Sequence, residues 1–495
     1  MALPTTSLFI DGEWRPSSTG ATFEVRNPAS AEVVGLAASA SEEDCKAAIE
    51  AAALAFQSWE NSPLSLRRDI VLKASEILAS EEYKEKVMTA VTEETAATAE
   101  TVVFNHAGPV NELRFFAGAT TRLKGEAFVS GIPGGQVFAQ RRPLGVVFSI
   151  APWNAPIGLT IRATALPIVC GNTVVLKCSE VSPRTQAIVA EIFEKAGLPK
   201  GVLNFIATSR EDSPPRVAQI IAHPAVRKIN FTGSDRVGKI IAAEAAKYLK
   251  PCVLELGGKS PVIVLGDADI PRAARAITSS AVLHCGQICM STERVIIQKG
   301  VADALISELK SLFKQVRAGD PLTDSSVSIG ALFTEGSAEN VIGMIKEAVE
   351  SGAKVLLGDL TRQGAIVQPH IVADVRPGMR LWERESFGPV VALTVVDTID
   401  DAVAAANASD YSLVAGLWTE NVHTAFDVAS RIRAGCTNIN GPTVHVEWMR
   451  GHGGLGGSTG YGHFSIDDWT DLRMMVLHPA KEPPYLVTSR LNGAS

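Results

Sequence analysis

Apolar residues recur along the chain with two periods, and the alternation of these periods predicts alternating helices and strands. Between residues 41 and 60, apolar residues recur at helical spacing after Ser41 and an acidic first turn, which indicates an amphipathic helix. Further on, short β-branched runs alternate with helical stretches. The predicted strands are 145–150, 173–177, 202–206, 227–232, 252–256, 261–265, 294–298 and 353–357, and the later predicted helices are 183–196, 214–222, 235–248, one from about 270, and 301–317.

This order of elements predicts an α/β fold. Strand, helix and strand at this spacing require right-handed crossovers and a parallel sheet. Since a second series of strands begins at 261, we expect a second α/β unit after the first. Ser182 and Pro183 are typical of a helix cap with a first-turn proline. The tail beyond Trp469 alternates weakly, as an arm or an edge strand does.

At 495 residues the chain is too long for one ordinary core and suits two or three packed units. Its 46% hydrophobic and 20% charged residues exclude disorder, collagen and coiled coil as overall descriptions. A net charge of −7 without a dense basic run argues against a nucleic-acid partner. We expect neither a signal peptide nor a membrane span, and therefore a cytoplasmic protein. Seven cysteines without paired spacing favour reduced thiols, one of which could be a nucleophile.

Three short motifs match known patterns but lack the context that those patterns need. Segment 233–239 fits a phosphate-binding loop, yet Ile240 stands where magnesium requires a hydroxyl. It remains either a glycine turn that offers helix N–H groups to a phosphate or a plain tight turn. Segment 456–460 fits the serine hydrolase pattern without the preceding apolar strand. The cysteines and histidine of 284–289 lack a second pair of zinc ligands, so we predict no metal.

The residues that follow the predicted strands are the candidates for binding, because ligands of a doubly wound sheet lie beyond the carboxyl ends of its strands. Asn154 lies between two prolines after strand 145–150, and is either a rigid hydrogen-bond donor or a turn former. Lys177 and Glu180 come with the next strand, and either grip an adenosine ribose or form a solvated loop pair.

Glu255 and Cys289 are the candidates for chemistry. Glu255, within strand 252–256, must face water or a cleft, and a partly dry cleft would raise its pKa toward neutrality and make it a useful general base. A lone cysteine such as Cys289 is more often a small buried hydrophobe than a nucleophile. The residues alone leave both alternatives open at each position.

Together these residues resemble a known pattern, that of the NAD(P)-dependent aldehyde dehydrogenase superfamily, over almost the whole chain. Six motifs stand in the family's order: Pro152-Trp-Asn154, Lys177-Cys-Ser-Glu180, Phe231-Thr-Gly-Ser234, Glu255-Leu-Gly-Gly-Lys259, Gly286-Gln-Ile-Cys289 and Glu385-Ser-Phe-Gly-Pro-Val390. Segment 152–156, Arg162 and segment 440–445 are most similar to the salicylaldehyde, vanillin and benzaldehyde dehydrogenase branch.

The resemblance implies oxidation of an aldehyde, here an aromatic one, to the carboxylic acid with NAD. Cys289 is implied as the nucleophile, Glu255 as the general base, and Asn154 as the oxyanion donor together with the backbone N–H of Cys289. The thiolate would add to the aldehyde carbon, and hydride would then leave for the nicotinamide. Water activated by Glu255 would release the resulting thioester as acid.

The family pattern also implies a cofactor site. Lys177 and Glu180 would hold the adenosine ribose, Ser234 the pyrophosphate, and Glu385 the nicotinamide ribose with Phe387 packed nearby. A carboxylate at Glu180 would repel a 2′-phosphate, so we expect NAD rather than NADP. The other implied cofactor residues are Trp153, Phe231, Gly233 and Gly257.

Arg162 and His445 are implied as substrate residues. An arginine at position 162 could attract a phenolate, a hydroxyl or a carboxylate of the substrate. Its alternative role is an ordinary helix-surface or ion-pair arginine. Segment 452–460 departs from the family, because it lacks the usual proline and lysine and is one residue longer, which leaves the geometry of the substrate mouth or subunit contact open.

We therefore expect an aldehyde-dehydrogenase-like fold in three parts. They are a Rossmann-type dinucleotide-binding domain (1–122 and 144–257), an α/β catalytic domain (258–456) and a β oligomerisation arm (123–143 and 470–495). A homodimer or homotetramer is the expected assembly. Two alternatives are a cysteine-dependent hydrolase or esterase without redox chemistry, and a noncatalytic relative that binds nucleotide.

Overall fold

Two large sheets carry most of the strands in the computed structural model, which describes residues 3–445 and 453–479. The first sheet has five parallel strands at its centre and antiparallel strands at both edges. In spatial order its strands are Gly460–Tyr461, Cys252–Glu255, Val226–Thr232, Val146–Ile150, Thr173–Lys177, Leu203–Ile206, Leu8–Ile10 and Glu13–Arg15.

The second sheet is parallel apart from its first pair of strands. In spatial order its strands are Lys354–Leu357, His370–Ala373, Val390–Val396, Thr292–Gln298, Ser260–Val264, Val414–Trp418 and Cys436–Ile439. All eight strands predicted from the β-branched runs are confirmed to within about two residues, and they divide between the two sheets as the two predicted series do.

Two further sheets are small. One joins Thr5–Thr6, Val33–Ala38 and Thr22–Arg26. The other is an arm in which the strand Thr470–Leu477, predicted from the weak alternation beyond Trp469, pairs antiparallel with Gln136–Pro143, which pairs in turn with Glu126–Val129.

Helices cover the strands of both large sheets. In the first half of the chain they are Glu42–Trp59, Leu64–Leu78, Glu81–Thr95, Ala99–Gly118, Pro156–Val169, Pro183–Lys195, Ser213–Ala222 and Asp235–Ala246. In the second half they are Ile270–Val282, Ala302–Phe313, Glu335–Glu350, Arg380–Glu383, Ile399–Asn407, Val422–Arg431 and Ile466–Trp469. The prediction of a helix to residue 317 was four residues too long, because the chain turns after Phe313 to bring Ala318 beside Ile329.

The central strands are buried along their whole length. Strand Thr173–Lys177 has no exposed residue, and the helices Glu42–Trp59 and Pro156–Val169 pack against it. This burial explains why the strand is a continuous apolar run rather than an alternating one. Across residues 3–445 and 453–479, no helix combines the length and the hydropathy that a membrane span requires.

Ser182 and Pro183 open their helix at the N-cap and in the first turn, as predicted, but the Ser182 side chain forms no capping hydrogen bond. The Ser182 hydroxyl donates to Gln186 Oε1 instead of accepting a hydrogen bond from the first turn. The cap is Glu94, a buried carboxylate that is distant in sequence and accepts hydrogen bonds from the backbone N–H of Arg184 (2.9 Å) and of Thr185 (2.8 Å). A helix N-terminus needs acceptors for its free N–H groups, and here another helix supplies them.

Candidate active site

The carboxyl ends of the central strands meet at one edge of the first sheet. Ile150 is in register with both Lys177 and Phe231, and Thr232 is in register with Glu255. The segments that follow these strands therefore run side by side, as the sequence predicted. They line one wall of a cavity of about 670 Å³.

This first cavity brings together eight of the nine residues that the sequence assigned to the cofactor: Trp153, Lys177, Glu180, Phe231, Gly233, Ser234, Glu385 and Phe387. Gly257 lies behind the wall, against Glu385. A Cβ at Gly257 would stand 2.7 Å from Glu385 Oε2, so the glycine leaves room for that carboxylate.

The glycine turn at 233–239 opens the helix Asp235–Ala246 toward the same cavity. Ser234 is the cap of this helix, and its hydroxyl accepts a hydrogen bond from Val237 N. The lysine of the phosphate-loop pattern, Lys239, points away to Asp235 and is largely exposed. The segment therefore offers a helix N-terminus to a ligand, but it lacks the lysine that would bind the phosphates of a nucleoside triphosphate.

Aromatic rings close one end of the cavity. Trp153 stacks on Phe333 with ring centroids 4.6 Å apart and meets Phe387 edge-on at 6.0 Å. Sequence reasoning did not select Phe333, because no motif surrounds it and only the fold brings it to the cavity. Aromatic faces and edges at this end of the cavity suit a planar ring in the ligand.

The loop that carries Glu385 and Phe387 is held by a buried carboxylate, Glu293. Glu293 accepts hydrogen bonds from Ser386 N and Ser386 Oγ and pairs with the buried ammonium of Lys259. Glu385 accepts a hydrogen bond from Gly258 N at 2.8 Å. Burial first, and then the charge of Glu293, raise the pKa of Glu385 well above its usual range.

Cys289 stands where the first cavity meets a second one and lines both. The chain reaches it through a tight turn in which His284 and Cys285 have φ angles of 49° and 59°. The carbonyl of Cys289 packs against the backbone of Gly258, where a Cβ would lie 1.9 Å from the carbonyl oxygen. This close approach explains why the motif around Glu255 needs a glycine at 258.

Gln287 ties the cysteine turn to its surroundings. Its side-chain Nε2 donates to Ala331 O (3.1 Å), and its Oε1 accepts from Phe333 N (2.9 Å). Its backbone carbonyl accepts a hydrogen bond from Asn154 Nδ2 at 2.8 Å. This bond, to a residue two positions before Cys289, fixes the orientation of the Asn154 amide, as its two flanking prolines suggested.

Glu255 lies between a thiol and a guanidinium. Cys289 Sγ donates to Glu255 Oε1 at 3.0 Å, and Arg162 forms an ion pair with Oε2 of the same carboxylate. Arg162 also donates to Thr232 Oγ1 at 3.0 Å and lies 4.1 Å from the ring centroid of Phe464. Burial, followed by the charge of Glu255, raises the pKa of the Cys289 thiol well above its usual value.

The second cavity has a volume of about 330 Å³ and is lined mainly by aromatic and aliphatic side chains. The catalytic candidates Asn154, Glu255 and Cys289 form one part of its wall. Arg162 and His445, the two residues assigned to the substrate, also line it. Asn105 and Glu112 are polar lining residues that the sequence did not indicate, because their helix carries no recognised motif.

The serine of segment 456–460 is structural. Ser458 is fully buried, and its hydroxyl donates to Asp410 Oδ2 at 2.7 Å. A serine without access to solvent or a cavity cannot act as a hydrolase nucleophile. Gly451 and His452, in the segment that departs from the family, lie outside the described residues. Within the described ranges, no cluster of His, Cys, Asp and Glu has the arrangement of a metal site.

Comparison with known proteins agrees with this arrangement. The sequence profile of the aldehyde dehydrogenase family matches residues 14–475. Vanillin dehydrogenase from Pseudomonas fluorescens is 41% identical over 476 residues, which cover 95% of this chain and 97% of that protein. The chain belongs to the aldehyde dehydrogenase family. It is an NAD(P)-dependent aldehyde dehydrogenase, an enzyme that oxidises an aldehyde to the carboxylic acid.

Two further comparisons place this aldehyde dehydrogenase among its relatives. The NAD(+) benzaldehyde dehydrogenase of Pseudomonas putida is 34% identical over 471 residues, 94% of this chain and 95% of that one. The crystal structure of a salicylaldehyde dehydrogenase from Pseudomonas putida G7, complexed with salicylaldehyde, has a TM-score of 0.94 at 38% identity and covers 97% of this chain and 99% of that one. The predicted fold class is confirmed.

Proposed function

We propose that Cys289 is the nucleophile of this aldehyde dehydrogenase, Glu255 its general base and Asn154 its oxyanion donor. The observation that carries the proposal is the 3.0 Å contact of Cys289 Sγ with Glu255 Oε1 at the junction of two cavities. One cavity would hold the dinucleotide and the other the aldehyde, so the thiol is within reach of both.

The reaction follows from these positions. Glu255 accepts the thiol proton, and the thiolate sulfur adds to the aldehyde carbon to give an oxyanion on the former carbonyl. One N–H of the Asn154 amide donates to Gln287 O, and this bond holds the amide in place. The second N–H donates to the oxyanion, together with the backbone N–H of Cys289. A nicotinamide cofactor in the first cavity, where Lys177, Glu180 and Glu385 would hold it, would supply the acceptor for the hydride that leaves this carbon. Glu255, after losing its proton to solvent, deprotonates the water that displaces the thioester sulfur.

The substrate is an aromatic aldehyde. The wall of the second cavity carries Phe104, Phe115, Phe116 and Phe464, which suit a planar apolar ring. The relatives named above are a vanillin, a benzaldehyde and a salicylaldehyde dehydrogenase. We assign Arg162 to the ordering of Glu255 rather than to direct capture of a phenolate, since its guanidinium is engaged by that carboxylate. His445, exposed at the cavity edge, remains a substrate contact in this proposal.

The preferred cofactor is NAD. Lys177 and Glu180 line the first cavity at the end of their strand, with the Lys177 ammonium donating to Cys178 O at 3.0 Å. A carboxylate at Glu180 would accept hydrogen bonds from ribose hydroxyls and repel a 2′-phosphate. Initial rates with equal concentrations of the two cofactors test this preference, and faster turnover with NADP would overturn it.

One assay decides the function. Formation of NADH is followed with benzaldehyde, salicylaldehyde, vanillin and acetaldehyde, and we expect the aromatic aldehydes to have the higher kcat/KM. Faster turnover of acetaldehyde would overturn the aromatic assignment. Ester hydrolysis without nucleotide would mark the cysteine hydrolase, and nucleotide binding without turnover the noncatalytic relative, neither of which the family membership favours.

The three-stranded arm is the surface through which copies of the chain would associate. Its strands expose Phe128, Phe138, Leu472, Met474 and Leu477, an apolar surface that a monomer would leave in water. The domain bounds given above assign cofactor binding and catalysis to the two large sheets and assembly to this arm. Light scattering with size-exclusion chromatography should give a dimer or a tetramer, and a monomer would contradict the assignment. The cytoplasmic location stays a prediction, which cell fractionation tests.

A further inference from the structure

The carboxyl group of Glu112 lies in the wall of the second cavity. Glu112 belongs to helix Ala99–Gly118, and only 8% of the residue is exposed. A Cβ at Gly158, on the facing helix, would stand 3.8 Å from Glu112 Oε2. The absence of a side chain at Gly158 therefore leaves space in front of the carboxyl group. Within residues 3–445 and 453–479, the Glu112 carboxyl forms no hydrogen bond or ion pair.

A second unpartnered polar atom lies on the same helix face. Asn105 precedes Glu112 by seven residues, two helical turns, and lines the same cavity. Its Nδ2 donates to Thr101 O, while its Oδ1 is buried and has no partner in the described part of the chain. Asn105 Oδ1 is closed off from the cavity, whereas the Glu112 carboxyl lines it. Buried polar groups of folded proteins are normally hydrogen-bonded, so the Glu112 carboxyl calls for a ligand that satisfies it.

The positive charge that acts on Glu112 is that of Arg162, whose guanidinium is already bound to other groups. The positive charge of Arg162 opposes the effect of burial on Glu112, but the guanidinium itself is bound to Glu255 and Thr232. Burial prevails and raises the pKa of Glu112 to about 8. The carboxyl is therefore mostly protonated near neutral pH, and it offers one O–H donor and one carbonyl acceptor.

We propose that Glu112 forms a polar subsite that binds a hydroxyl group on the ring of an aromatic aldehyde. A phenolic hydroxyl both donates and accepts, which matches the O–H donor and the carbonyl acceptor of a protonated carboxyl. The proposal rests on the aromatic substrate proposed above and adds the ring substituent. Glu112 takes no part in the chemical steps, and its role is to select among substrates.

The subsite makes discrimination depend on one side chain. An unsubstituted benzaldehyde leaves the Glu112 carboxyl without a partner, whereas a hydroxylated ring satisfies it. A site built to pair with a hydroxyl discriminates strongly against analogues that lack it. Glu112→Leu removes the pairing and keeps a side chain of similar bulk, and Glu112→Gln keeps one donor and one acceptor.

The test measures kcat/KM for benzaldehyde and for the three hydroxybenzaldehyde isomers. For the isomer that the wild type prefers, Glu112→Leu should lower kcat/KM about tenfold or more, with benzaldehyde changed by about twofold at most. Glu112→Gln should restore most of the loss. Gly158→Ala probes the same space: its added methyl group would stand about 3.8 Å from Oε2, so it should lower kcat/KM for the hydroxylated ring more than for benzaldehyde.

Three results would overturn the subsite. They are an equal loss for benzaldehyde and every isomer in Glu112→Leu, no loss for any isomer, and failure of Glu112→Gln to restore the preference. Thermal melting checks that each variant folds, and Glu112→Met replaces Glu112→Leu if the latter does not. A wild type that prefers aliphatic aldehydes would refute the aromatic substrate instead, so the two failures are told apart.

Discussion

Cys289 Sγ donates a hydrogen bond of 3.0 Å to Glu255 Oε1, and the other oxygen of the carboxylate is paired with Arg162. The thiol is therefore a neutral donor in the free enzyme, since both burial and the adjacent negative charge disfavour a thiolate. The same contact gives the proton a defined acceptor once a substrate reaches the sulfur.

The free enzyme should react slowly with thiol reagents at neutral pH. Because the pKa of Cys289 is raised above its ordinary value of 9.0, the rate of inactivation by iodoacetamide should still be rising at pH 9. Glu255→Gln removes the negative charge that opposes the thiolate, so its inactivation profile should move to lower pH. A wild-type profile that reaches its plateau below about pH 8 would show that the thiol is activated without substrate.

Arg162 should control the step that depends on Glu255. The side chain of Glu255 is only 3% exposed, and a buried carboxylate that loses its cationic partner is displaced or neutralised. Arg162→Met should therefore lower kcat about tenfold or more, with Arg162→Lys in between because an ammonium lacks the planar fork of a guanidinium. Steady-state rates combined with the pre-steady-state NADH burst measure this, and a kcat within about twofold of the wild type would refute it.

Much of this site could be predicted because its residues belong to short motifs at the ends of strands. Asn154 and Glu255 lie directly after or at the end of buried β-branched runs, so the parallel sheet alone brings them to one edge. A catalytic role for Cys289 could be predicted only from the resemblance to a family, since a lone cysteine forms no pattern of its own. Their individual roles stay predictions until the variants are measured.

Other parts of the site depend on contacts between distant segments, which leave no local signal. Arg162 could be read from the sequence as a substrate ligand or as an ion-pair arginine, and only the fold brings it to Glu255, 93 residues away. Glu112 stands in a helix without a motif, and its access to the cavity depends on a glycine of another helix. Ser182 stands at the predicted N-cap, but the capping hydrogen bonds come from Glu94, which is distant in sequence and carries no local signal.

Glu293 should act on cofactor binding through Glu385. Its carboxylate holds the N–H groups of Ser386 and Phe387, so Glu293→Gln places an amide N–H against donors and should shift the loop that carries Glu385. We expect the KM for NAD to rise about fivefold or more, with the KM for the aldehyde changed little. Titration of NAD binding by protein fluorescence gives an independent reading. Equal changes in both KM values would indicate a general loss of structure instead.

Glu94 should make the stability of the enzyme depend on pH. Burial raises its pKa from 4.5 to about 7, so between these values the folded state holds a proton that the unfolded state has released. Stability from this group is therefore complete below about pH 4.5 and falls as the pH rises through 7. Relative to Glu94→Gln, which cannot ionise, the wild type should lose a few degrees of Tm between about pH 5 and 8. Glu85→Gln, at an exposed carboxylate of the same helix, is the control and should keep a constant difference from the wild type. Parallel Tm curves for the wild type and Glu94→Gln would show that Glu94 is ionised throughout this range.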